Sequence, residues 1–274
     1  MGIFKAVALG ILQGLTEFLP VSSSGHLVLA QQLFPAGITH AVAFDVCLHF
    51  GTLVAVVVYF RADLLRMARA VFLRGEEPGR PDSPDSYLGR WVWLLGAATV
   101  PVGIVGLSFA GPIEHAFGST RGVGIALLCT SVLLVLGSRH LGGRKGPEKL
   151  GLRDALVIGL FQAVAIIPGI SRAGSTITGG LLADLQPGTA ARFAFLLSIP
   201  AITAAMLGSA AGVAELISAD PAAVAAGTVA AGLTGWLAIE IMMRAVRLGR
   251  LAPFAVYCAV LGCVTLLAGW TQAG

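Results

Sequence analysis

Apolar residues in this chain gather in runs, and the runs differ in length. Ten can be marked, at about 3–19, 23–34, 42–60, 91–110, 121–139, 152–168, 174–185, 190–213, 222–246 and 253–272. A helix needs roughly 20 apolar residues to cross about 30 Å of hydrocarbon. The second and seventh runs are too short, and each follows a Pro/Gly/Ser break. The pattern predicts helices that enter a membrane, turn at mid-depth and come back out. Long stretches of alternating polarity are absent, so a barrel is not predicted. The one long polar stretch, 61–90, contains "RGEEPGRPDSPDS" and reads as a flexible loop.

The runs also repeat. Gly10, Gln13 and Phe44 recur 149 positions later as Gly159, Gln162 and Phe193, and Pro20 and Ser23 recur 148 later as Pro168 and Ser171. One single-residue gap reconciles the two offsets. Each half reads as a broken pair followed by three full spans, with the boundary near 147/148. A broken pair returns to the side it entered from, so each half makes an odd number of crossings and the second half lies inverted. The fold class expected is an all-α integral membrane protein built from two inverted repeats, with a single domain over 1–274.

Composition agrees. Charged residues make up 12% of the chain, about half the share in a soluble protein. A pI near 9.1 could suggest nucleic acid, but the placement of the charge argues for membrane orientation instead. With the N-terminus outside, all but Lys5, Arg121 and Arg172 of the 18 basic residues fall on one face. Positive loops stay inside, which makes that face cytoplasmic and puts both termini outside. Cys47, Cys129, Cys258 and Cys263 lie in apolar runs without metal or disulfide spacing. Gln13 and Glu17 interrupt the first run, which reads as retained rather than as a cleaved signal.

The chemistry concentrates at the two breaks. Glu17, Ser22, Ser23, Ser24 and His26 lie at the first, and Ser171, Arg172, Ser175 and Thr176 at the second. An ionised side chain at the bilayer centre costs about 2.5–3.5 kcal/mol on insertion scales, so it marks function by default. The N-termini of half-helices inside the membrane favour anions. Arginine and a Gly-rich turn suit phosphate. Histidine can serve as general acid, general base or nucleophile. Plainer roles compete. Glu17 and Arg172 can form a structural ion pair, His26 can pack, and the serines can cap helices. Gln13 and Gln162 can bridge helices. Asp45 and His49, four apart, suit an interhelical hydrogen bond better than a metal pair. Glu240, alone in its segment, has no role from sequence.

"QGLTEFLPVSSSGHL" and "PGISRAGST" resemble the two signature motifs of the undecaprenyl-diphosphate phosphatase family, the bacitracin-resistance proteins. "FDVCLHFGTLVAVVVYF", "FLLSIPA" and "PFAVY" extend the resemblance over essentially the whole chain. The resemblance implies removal of one phosphate from undecaprenyl diphosphate, which recycles the cell-wall carrier lipid in the bacterial plasma membrane. It implies catalytic roles for Glu17, Ser23, His26 and Arg172. Gln13, Ser22, Ser24, Ser171, Ser175 and Thr176 would bind substrate. His26 or Ser23 would attack phosphorus, and Glu17 would orient or deprotonate that group, or bind Mg²⁺ or Ca²⁺. The site would open to the outer face. The implied partners are a polyprenyl diphosphate lipid and the bilayer, with a homodimer left open and no nucleic acid. Three positions depart from the family pattern: Gln13 stands where many members have Glu, Ala173 where a serine is usual, and Cys258 where an arginine often follows "PFAVY". The alternative reading is a transporter for the phosphorylated carrier, which needs the same anion site but no nucleophile.

Overall fold

The computed structural model describes residues 2–33, 41–72, 87–109, 111 and 119–271. Its long elements are all helical: α1 (Ile3–Phe18), α2 (Ser23–Leu33), α3 (Ala41–Tyr59), α4 (Arg61–Phe72), α5 (Tyr87–Ser108), α6 (Thr120–Ser138), α7 (Leu152–Val164), α8 (Arg172–Leu182), α9 (Pro187–Gly208), α10 (Ala210–Ala219), α11 (Pro221–Arg247) and α12 (Ala252–Thr271). By length and composition α5, α6, α9 and α11 can cross a membrane, and α3–α4 adds a fifth span if that bent pair is one. The chain is a multi-pass membrane protein. The two broken pairs are short, with 16 and 11 residues in α1 and α2 and 13 and 11 in α7 and α8.

Two boundaries differ from the sequence expectation. Arg61–Phe72 is helical, set at 74° to α3, so the polar stretch 61–90 is not a loop throughout. Helix α4 is amphipathic and buries Met67, and its arginines disguise the apolar stripe. The "RGEEPGRPDSPDS" stretch lies outside the described residues. The run 190–213 is divided at Ser209 between α9 and α10.

Helix pairs pack through small residues, as expected where lipid competes with apolar side chains and close backbone approach is the gain. Helix α1 lies along α11, and α7 along α5. A side-chain carbon on Gly10 would come within 2.2 Å of the Gly227 carbonyl oxygen, and one on Gly159 within 2.4 Å of the Ala98 carbonyl oxygen. The main core joins Phe18, Trp91, Phe193 and Phe195 with residues of α3, α8 and α11. It includes Phe18 and Ala173, which flank the two breaks.

Candidate active site

At the first break, Pro20 stops α1 from continuing into α2. Ser22 turns the chain at φ +70°, an uncommon conformation for a residue with a side chain. Its Oγ then accepts from the Gly25 N–H at 3.2 Å and caps α2. At the second break, Gly169 makes the turn at φ +95°, which glycine adopts without strain. Ser171 caps α8 by accepting from the Gly174 N–H at 3.0 Å. Thr130 of α6 holds this turn from outside. Its hydroxyl donates to the Gly169 carbonyl at 3.1 Å and accepts the Ser171 N–H at 3.0 Å. The breaks meet where the Gly169 N–H donates to Ser24 Oγ at 3.4 Å.

Between them lies a cavity of about 480 Å³. Its polar lining is Glu17, Ser22, Ser23, Ser24, His49, Thr99, Gln162, Ser171 and Arg172. Its apolar lining comes mainly from α5 (Val102, Gly103, Gly106) and α9 (Ala201, Ala204, Ala205). Glu17 is the hub. One carboxylate oxygen accepts from Arg172. The other accepts from Ser23 Oγ at 2.6 Å and from Gln13 Nε2 at 2.9 Å, and His49 Nε2 lies 3.5 Å away. The Glu17 side chain is 2% exposed, whereas Arg172 at 23% and His49 at 26% reach the cavity. A buried carboxylate held this way is compensated by one full charge and two neutral donors.

Of the residues expected from sequence, Glu17, Ser22, Ser23, Ser24, Ser171 and Arg172 line this one cavity. Gln13 stands behind Glu17 on the same helix. Thr176 is buried and turns its hydroxyl back to the Arg172 and Ala173 carbonyls. Ser175 Oγ is buried without a hydrogen-bond partner and lies outside the lining. His26 also lies outside it. Its Nδ1 donates to the Ser22 carbonyl at 2.7 Å, because a carbonyl only accepts. Its Nε2 then accepts from the Tyr257 hydroxyl at 2.7 Å, and the two rings stack. Cys258, beside Tyr257, is buried with its sulfur 3.6 Å from the Pro20 carbonyl.

Two lining residues were given plainer roles from sequence. His49 and Asp45 were expected to make an interhelical bond. Asp45 does so, accepting from Gln31 of α2 at 2.9 Å. His49 instead donates through Nδ1 to the Asp45 carbonyl at 2.7 Å and turns Nε2 to Glu17. Gln162, expected to bridge helices, points into the cavity. Glu240 also gains a role, accepting from Tyr59 of α3 and from Arg244, both at 2.7 Å.

The donor set does not suit a cation held by the chain alone. Mg²⁺ and Ca²⁺ take six or more oxygen ligands. Among the described residues Glu17 is the one carboxylate in the lining, and Arg172 already occupies one of its oxygens. Among the described residues no group of three or more His, Cys, Asp or Glu could hold a metal ion.

A family model described as bacitracin resistance protein BacA matches residues 6–264. Proteins named undecaprenyl-diphosphatase align with nearly the whole chain. That of Syntrophotalea carbinolica is 44% identical over 96% of this chain and 97% of its own. That of Desulfosudis oleivorans is 44% identical over 97% and 98%, and that of Methanosphaera stadtmanae 37% over 97% and 98%.

Proposed function

This chain belongs to the bacitracin resistance protein BacA family, and from that premise we propose that it hydrolyses undecaprenyl diphosphate to undecaprenyl phosphate and inorganic phosphate. The observation that carries the reading is the Glu17 carboxylate. It holds the Ser23 hydroxyl of one break and the Arg172 guanidinium of the other in a cavity whose lining from α5 and α9 is mainly apolar.

The diphosphate enters with its terminal phosphate against Arg172 and the helix N-termini at Ser23 and Arg172. Its isoprenoid chain lies along α5 and α9. Ser23 Oγ attacks the terminal phosphorus and passes its proton to Glu17. The bridging P–O bond breaks, and the departing lipid monophosphate takes that proton. Water then attacks the phosphoserine and gives a proton to Glu17. The serine P–O bond breaks, inorganic phosphate leaves, and Ser23 recovers its proton from Glu17. Arg172 balances the charge on the equatorial oxygens throughout. His26 supports the Ser22 carbonyl from behind and thereby positions Ser23. A transporter would not need the Ser23–Glu17 contact, and the relatives are named for hydrolysis.

Two finer readings accompany this. The fold is an inverted repeat in which α1, α2, α3, α5 and α6 correspond to α7, α8, α9, α11 and α12. Exchange of the halves turns the α1–α11 contact into the α7–α5 contact, and the matched glycines Gly10 and Gly159 both sit against a backbone carbonyl of the partner helix. The site opens to the outer face of the plasma membrane with both termini outside, a reading supported by the basic residues of α4 and of the α6–α7 connection.

Phosphate release from a polyprenyl diphosphate by the purified full-length protein in detergent tests the activity. Release is expected from the native chain and not from Ser23→Ala. Absence of release from a well-folded native chain would refute the reading.

A further inference from the structure

Gln162 is 2% exposed and lines the cavity from α7, yet among the described residues neither its carboxamide nitrogen nor its oxygen has a hydrogen-bond partner. Its sequence counterpart Gln13 is equally buried, but its nitrogen donates to Glu17 and it stays outside the lining. Buried polar groups are nearly always paired, and leaving two unpaired in one side chain destabilises the empty protein. Packing gives no reason for an amide here, since Leu160, Phe161, Ala163 and Val164 around it in sequence are all apolar. A ligand that supplies acceptors and donors at this point does.

Location narrows the ligand. Arg172, Ser171 and the three serines of the first break supply most of the polar lining. Gln162 is followed three and four residues later by Ala165 and Ile166, which belong to the apolar lining, and its helix packs on α5, which supplies Thr99 followed by the apolar Val102, Gly103, Gly106 and Leu107. It therefore stands where polar lining gives way to apolar lining. A lipid diphosphate crossing that boundary has its terminal phosphate at the polar end and its lipid-linked phosphate at the seam. We propose that Gln162 is a substrate-binding residue whose carboxamide N–H groups hold the lipid-linked phosphate, the one the product keeps. The neutral amide suits that position, because a second cation would hold the lipid monophosphate too firmly for release. This inference rests on the phosphatase reading of the cavity.

The test uses Gln162→Leu and Gln162→Met, two apolar replacements of similar size, in the full-length protein in detergent. Loss of one hydrogen bond to a charged group corresponds to about a tenfold effect. KM for polyprenyl diphosphate should rise about tenfold, with kcat changed little. Inhibition by polyprenyl monophosphate should weaken by a similar factor, while inhibition by inorganic phosphate stays as it was. The melting temperature without ligand should hold or rise, because two unpaired groups are gone. Unchanged KM and unchanged inhibition by the monophosphate in a folded variant would overturn the proposal. Weaker inhibition by inorganic phosphate alone would also overturn it, by moving Gln162 to the terminal phosphate. Arg172→Lys serves as the control. If it loses turnover while the Gln162 variants behave as native, only the Gln162 proposal fails. If both behave as native, the phosphatase reading of the cavity fails.

Discussion

The two breaks use the same backbone device and supply opposite chemistry. Each follows a proline, turns through one left-handed residue, and starts a short helix under a serine cap. The first then presents a carboxylate and hydroxyls, the second a guanidinium on a glycine turn. They differ also in how they are held. The second is pinned from α6 by both hydrogen bonds of Thr130. The first is backed by His26, whose ring reaches across to Tyr257 of α12. A duplicated scaffold thus yields an asymmetric site, and the asymmetry resides in side chains.

The largest expected effect comes from removing the anion. Glu17→Gln keeps the shape but removes the base and turns one accepting oxygen into a donor, and turnover should fall about 1,000-fold, within the range for losing general base help. If the breaks were interchangeable, the swap Glu17→Arg with Arg172→Glu would restore activity. It is expected to stay inactive, because Ser23 and Gln13 donate to an anion at position 17. Phosphate release by the swapped protein decides the point. Next, Arg172→Lys preserves charge but not the planar fork, and kcat should fall about 100-fold while the melting temperature stays near native. Native turnover there would mean that Arg172 serves only as the ion-pair mate of Glu17.

Smaller effects sharpen how each break is held. Thr130→Val leaves the buried Gly169 carbonyl and Ser171 N–H without this partner, and denaturation in detergent should show a loss of about 1–3 kcal/mol. Tyr257→Phe, which removes one hydroxyl behind the first break, should cost less, since its ring contact with His26 survives. Equal losses would erase the claimed difference in anchoring. Smallest are the caps: Ser171→Ala should cost about 1 kcal/mol, and Ser22→Ala a similar amount, with the left-handed turn retained. A loss confined to one cap would show that only one short helix depends on its serine.

Much of this was legible in sequence because the signals were local. Segment length separated short helices from long ones, and Pro20, Pro168 and Gly169 marked the breaks. Buried charge singled out Glu17 and Arg172. What escaped notice depended on partners far along the chain. His49 carries no local cue that its ring meets Glu17, and its four-residue spacing from Asp45 invited a different pairing. His26 stands three residues from Ser23, but its Nε2 accepts from the hydroxyl of Tyr257, 231 positions away. Gln162 looked equivalent to Gln13, and the difference between them arises from Glu17, which α7 does not duplicate. Helix α4 was hidden because arginines on its exposed face lowered its average hydropathy.

The packing of α1 on α11 has a consequence for how the protein is made. Gly10 finds its closest neighbour at Gly227, so α1 waits for a partner made much later in synthesis. At about 5–20 residues per second, that wait is on the order of 10–40 s. For most of it, Glu17 sits in a short helix without Arg172, which is made 155 residues later. The nascent chain therefore needs a hydrated or protein-lined shelter for its N-terminal segment, and translation stalled before α11 should leave that segment exposed to quality-control proteolysis.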